Sequence, residues 1–211
     1  MSDRVKPYSS PLREQQARQT RERILQAARD VFREHGYGAT TLTDIARAAG
    51  VAEQTVRATF KTKANLVEHL LRLAIRGSDH DLQLQQQHAF EHMLTSSDAA
   101  TLLARLSDLA EAVHRRSWDV MEIVRGAATS DPAIAELHEQ RRRARHTNQK
   151  TVAKRLQELG ALPAHTSIET ATDLLWLYTS PEIYRMLVIE QHWSAKRYRG
   201  WFHAAVASIL T

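Results

Sequence analysis

Between positions 41 and 63 stand residues whose side chains match the edges of nucleic acid. Gln54 can offer an amide to adenine through two hydrogen bonds, and Arg57 can do the same to guanine. Thr55 presents a hydroxyl and a methyl, suited to a phosphate or a thymine methyl, and Thr59 extends the same face. Thr41, Thr43 and Lys63 are placed to hold phosphates: the threonines open a helix whose first amides are free, and the lysine supplies charge. Thr41 serves equally well as a plain helix cap. Lys61 reads as a solvated lysine.

Side chains of this kind act together only if short helices hold them on one face. From Thr20 onward Ile24, Leu25, Ala28, Val31 and Phe32 form one apolar stripe at helical spacing, closed by Gly36 and Gly38. Thr41-Leu42-Thr43-Asp44 has the form of a capping box, with Leu42, Ile45, Ala46 and Ala49 turned inward. Gly50 supplies the left-handed turn, and a second short helix over 53–60 buries Val56 and Phe60. Two short helices at a tight turn, packed on a longer one, make a helix-turn-helix; Glu53, Gln54, Thr55, Arg57, Ala58 and Thr59 remain outside.

The charge balance agrees. The 211 residues carry a formal net charge of +5, with a sequence pI near 9.7. Residues 1–77 hold fourteen basic and eight acidic side chains, a surplus of six, whereas the remainder holds fifteen and sixteen. A polyanion is the natural partner of such an N-terminal third. Good helix formers dominate and Gly and Pro are few, so the expected fold is all-α. Cysteine is absent, which excludes disulfides, thiolate catalysis and sulfur-ligated zinc. No Gly-rich phosphate loop or GxSxG elbow occurs, so hydrolase and phosphotransfer chemistry are not expected, nor is a cofactor. No leader-like or spanning apolar run is found, which points to a cytoplasmic protein without membrane attachment.

The run from Gly36 through Gly50-Val51, with Thr55-Val56 and the exit Phe60-Lys61-Thr62-Lys63-Ala64-Asn65-Leu66, closely resembles the DNA-binding domain of the TetR family of transcriptional regulators. The resemblance covers about residues 20–70. It implies a homodimeric repressor that binds an inverted-repeat operator in double-stranded DNA and is released by a small-molecule effector. The chain departs from the family pattern in the reading helix. Ala52 stands where a capping Ser or Thr is usual, while Arg57 and Thr59 replace aromatics that touch the DNA backbone.

The expected organisation is a flexible basic arm over 1–19, a DNA-binding domain over 20–77 and a helical effector-binding and dimerisation domain over 78–211. Within the second, the helix-turn-helix spans about 41–60 and a linking helix 64–76. Pro7 and Pro11 are read as interrupting any helix in the arm, which could follow a DNA groove. Further helices are expected at 81–94, 99–116, 118–129, 133–159, 167–179, 181–191 and 194–210, punctuated at Asp131-Pro132, Gly160, Ser180-Pro181 and Ser194.

In the second half Phe90, Met93, Trp118, Met121, Trp176 and Tyr178 could line a pocket between helices, with ordinary core packing as the alternative for each. Leu174, Tyr184, Leu187, Trp201, Phe202, Ala205 and Ile209 exceed what one bundle face needs, and the resemblance implies that they meet a second copy. Three other readings are open. His88 and His92, four apart with Asp79, His80 and Asp81 upstream, could bind a metal in a metal-responsive regulator or a helical metalloenzyme; a solvated helix face is the plainer reading. The basic run Arg141, Arg142, Arg143 and Arg145 could touch a membrane surface, but Glu136 and Glu139 balance it.

Overall fold

The computed structural model describes residues 11–76 and 88–210, and every regular element among them is a helix. The chain forms two compact units, Met1–Leu70 and Leu71–Thr211.

In the first unit α1 (Pro11–Ala39) is broken at Gly36, whose φ of 76° and ψ of 164° suit a residue without Cβ. α2 (Leu42–Ala49), α3 (Glu53–Phe60) and α4 (Lys63–Arg76) come next, and the division between the units falls inside α4. Ile24, Ile45, Val56 and Leu66, one from each helix, are fully buried, so the apolar stripes read from the sequence converge on a single small core. Residues 11–19 differ from the expected arm, because they are helical. Pro11 opens α1, where its missing N–H has no intrahelical partner to lose, and good helix formers come after it. The rest of the expected arm, residues 1–10, lies outside the described residues.

The second unit contains a helical stretch over residues 88–94 (α5), then α6 (Ala99–Ala127), α7 (Pro132–Glu158) and α8 (Ile168–Tyr178). A short α9 (Pro181–Tyr184) runs into a π-helical segment, Arg185–Glu190, before α10 (Ala195–Ala207) and a closing 3₁₀ turn. Side chains of Asp98, Asp131, Ser167, Ser180 and Ser194 each accept a backbone N–H of the first turn beyond them, and prolines occupy the starts of α7 and α9. Leu103, Val152, Leu175 and Phe202 are all but inaccessible and tie α6, α7, α8 and α10 into one core.

Two expectations fail here. The break expected near residue 117 is absent: α6 is continuous, and the Ser117 hydroxyl donates to the Val113 carbonyl one turn back, so this polar residue sits inside the helix. The segment 181–191 is one α turn followed by wider π turns, ending where the Gln191 N–H meets the Met186 carbonyl five residues earlier.

Candidate nucleic-acid interface and internal cavity

The start of α2 is held by a reciprocal cap. Thr41 Oγ1 accepts the Asp44 N–H at 3.1 Å, and Asp44 Oδ2 accepts the Thr41 N–H at 3.0 Å and the Thr41 hydroxyl at 2.6 Å. These bonds from Thr41 hold the Asp44 carboxyl below its ordinary range. Thr41 is therefore the cap, and any phosphate contact is additional to that role. Gly50 closes α2 at φ 64°, with its N–H on the Ala46 and Arg47 carbonyls.

α3 begins at Ala52 with no side-chain cap, so Glu53 does not take over the missing Ser or Thr. Its carboxylate works sideways instead. It accepts the Thr43 hydroxyl from α2 and, at 2.6 Å, the Arg57 Nε one turn along, and both bonds draw its pKa down. The Thr59 hydroxyl donates to the Thr55 carbonyl at 2.7 Å. Gln54, Arg57 and Ala58 are exposed, Thr55 and Thr59 half-buried, and Val56 and Phe60 sealed inside. The outward face is thus the one expected, but Thr43 and Arg57 are linked through Glu53, a bridge that spacing alone could not reveal across the turn.

Lys63 also differs from its expected posture. Its ammonium donates to the carbonyls of Tyr37 at 2.7 Å and Thr40 at 2.9 Å, and lies 4.1 Å from the Tyr37 ring centroid. It ties the start of α4 to the end of α1, leaving one donor for anything else. The Tyr37 ring, buried against Phe32, was the available clue to a cation partner nearby.

The second unit contains a half-open cavity of about 240 Å³. Of the residues expected to line a pocket, only Phe90 and Met121 do so. Met93 is fully buried in the core, and Tyr178 packs edge-on to Trp201 at 6.3 Å. Trp176 lies under Arg142 and Arg145, 5.4 and 4.5 Å from their guanidinium carbons, and neither it nor Trp118 reaches the lining. The lining instead includes Leu109 and Val113 together with His114, Ser117, Arg145 and Gln149, none of which aromatic content could have flagged. The sequence did hold a signal: His114 and Ser117 interrupt an apolar stripe of α6 at helical spacing.

The expected surface for a second copy needs similar revision. Phe202 and Ile209 are 0% and 3% exposed within the chain's own core, and Tyr184 is buried against Tyr198, so these three have almost nothing to present. Leu174, Leu187, Trp201 and Ala205 keep partial exposure, and Leu177 and Met186 are 48% and 44% exposed.

His88 and His92 are exposed on α5; Asp79, His80 and Asp81 lie outside the described residues. Among the described residues no three His, Asp or Glu side chains gather to share a metal ion, and no helix is long and apolar enough to cross a membrane. Arg143 is paired with Glu136 and Glu139, so part of the basic run on α7 is neutralised along the helix.

Residues 24–70 match the sequence model described as "Bacterial regulatory proteins, tetR family". Over 178 residues, 83% of each chain, the sequence is 28% identical to the HTH-type transcriptional regulator TtgR of Pseudomonas putida. It is equally similar to the probable regulator ArpR of Pseudomonas putida, 28% over 178 residues with 83% of each chain covered. Among solved structures, the fold is similar to that in a SmeT–triclosan complex, with a TM-score of 0.69, 23% identity, and 91% and 90% of the two chains covered.

Proposed function

We propose that the chain is a DNA-binding transcriptional regulator of the TetR family, a ligand-released repressor acting as a dimer on an inverted-repeat operator; the match of residues 24–70 to that family's sequence model and the similarity to two transcriptional regulators support this reading. The observation that carries the DNA half is the outward face of α3, where Gln54 and Arg57 stand exposed on a helix whose neighbour is capped at both ends. Gln54 and Arg57 read bases, Thr55 and Thr59 flank them, and Thr41, Thr43 and Lys63 border the phosphates. Residues 20–77 act as the DNA-binding domain and 78–211 as the effector and dimerisation domain.

The second copy covers the partly exposed apolar side chains of α8 and the segments after it, centred on Leu177, Met186 and Trp201. Two-fold pairing supplies two reading helices, because one short helix in a groove binds too weakly alone. The cavity in the second unit is the effector site; the similarly folded SmeT was solved with triclosan. Effector binding lowers operator affinity by about 1–3 kcal/mol, the usual range of allosteric coupling. A repressor of this kind works where the chromosome is, in the cytoplasm.

Selection of bound sequences from a random duplex pool tests the proposal. A recovered motif with two-fold symmetry, bound by two chains, is the expected result. Recovery of no enriched sequence, or of an asymmetric site bound by one chain, rejects it.

A further inference from the structure

The cavity is charged as well as apolar, and its charge is one-sided. Arg141, Arg142 and Arg145 lie on its lining, and among the described residues Glu182 is the one acid there. Arg142 is exposed, whereas Arg145 is half-buried. Arg145 Nη1 donates to the Trp176 carbonyl and, at 3.4 Å, to the Thr179 hydroxyl, and its guanidinium carbon lies 4.5 Å from the Trp176 ring centroid. No carboxylate among the described residues comes within ion-pair distance of it. Burial pulls its pKa down to about 10, which still leaves it cationic at neutral pH. Glu182 attracts it from beyond ion-pair distance and Arg142 repels it, so the cation is withdrawn from water with only partial compensation, and an anion entering the cavity would relieve that cost.

Two more lining side chains are incomplete. Burial and the neighbouring Arg145 charge drive His114 down to about 3, so its ring is neutral, with a hydrogen bond to the Thr179 backbone. Its Nδ1 is buried with no partner, and so is the Oε1 of Gln149. Both are acceptors in that state, and buried acceptors are normally satisfied. The remaining wall, with Phe90, Leu106, Leu109, Val113 and Met121, suits rings or short hydrocarbon.

We propose that the effector is an amphipathic organic anion: a compact apolar body carrying one acidic group, placed against Arg145, and an N–H or O–H donor for Gln149 or His114. This rests on the effector reading of the cavity, and it adds the chemical class. A neutral lipophile would leave Arg145 without an ion-pair partner and is the competing outcome.

The test uses the full-length protein and two fluorescent probes that differ by one sulfonate, 8-anilinonaphthalene-1-sulfonate and N-phenyl-1-naphthylamine. The anionic probe should bind at least tenfold more tightly. Arg145→Met should abolish that preference while changing the neutral probe's affinity less than about twofold, and Arg145→Lys should restore most of it. If Arg145→Met does not fold, the wild-type preference and the exposed rim variant Arg142→Met, expected to reduce the preference about threefold, decide the matter. Equal binding of both probes, tighter binding of the neutral one, binding of neither, or a preference that survives Arg145→Met overturns the proposal. The same probes are then titrated against the protein on its selected duplex. A neutral probe that releases DNA better than the anion keeps the switch and rejects the anion. An anion preference without any change in DNA affinity rejects the effector reading itself.

Discussion

Replacing Lys63 with methionine separates holding phosphate from holding the fold. Methionine keeps the apolar stem but removes two bonds from a charged donor, to the Tyr37 and Thr40 carbonyls, and the ammonium over the Tyr37 ring. Each such hydrogen bond contributes about 1.5–3 kcal/mol, and the ring contact about 0.5–1 kcal/mol. Part of that sum is offset because the released carbonyls, at the end of α1, can regain water. The net loss for opening the first unit is about 2–3 kcal/mol, which is roughly a 30- to 160-fold change in an opening equilibrium. Hydrogen–deuterium exchange of the full-length protein, read on peptides from α2 and α3, measures this directly. Exchange there should accelerate by that factor, while peptides from α6 and α7 stay unchanged. DNA affinity should fall for operator and random duplex alike. If α2 and α3 keep wild-type protection within threefold and only the salt slope of DNA binding becomes shallower by about one per subunit, Lys63 is a phosphate contact and the structural role assigned to it is wrong.

Arg57→Ala and Gln54→Ala should each weaken operator binding by about 1–3 kcal/mol and relax preference at one position per half-site; equal loss on scrambled duplex would make Arg57 a phosphate contact. Leu177→Glu and Met186→Glu should shift sedimentation toward monomer with helical content intact, whereas Phe202→Ala, at a fully buried site, should cost about 3–5 kcal/mol of stability; dimers that persist in both charged variants would move the interface elsewhere. His114 sets a pH dependence. Its pKa is depressed from 6.5 to about 3 in the folded chain, so the unfolded chain takes up the proton first. Stability is then complete above pH 6.5 and declines as pH falls toward 3, by about 1.4 kcal/mol per unit from this group. Urea unfolding followed by tryptophan fluorescence should show that slope reduced by one proton in His114→Leu, and an unchanged slope would contradict the burial of a neutral ring.

The helix-turn-helix was legible because its determinants are local. A capping box needs only Thr41 and Asp44 three apart, a left-handed turn needs only Gly50, and a 3.6-residue period places Val56 and Phe60 inside and Gln54 and Arg57 outside. The same holds for most helix starts in the second half, where Ser or Asp precedes Pro or a regular stripe. Even local patterns have limits: Pro11 is equally compatible with stopping a helix and with opening one, and the helix-forming residues after it settle the choice.

Tertiary structure alone decided the partners of long polar side chains and the destination of apolar ones. Lys63 reaches carbonyls 23 and 26 residues away, and Arg145 bonds the Trp176 backbone 31 residues on, distances over which sequence spacing carries no geometric information. Phe202 and Trp201 are neighbours of similar character, yet one is sealed in the core and the other is half-exposed. Composition and period cannot rank such a pair, since burial depends on which helix lies opposite, and that is set by how α6, α7, α8 and α10 pack together. The cavity obeys the same rule: its walls join one stripe of α6 to one of α7 and to the start of α9, and which stripes face each other is set by packing, not by spacing along the chain.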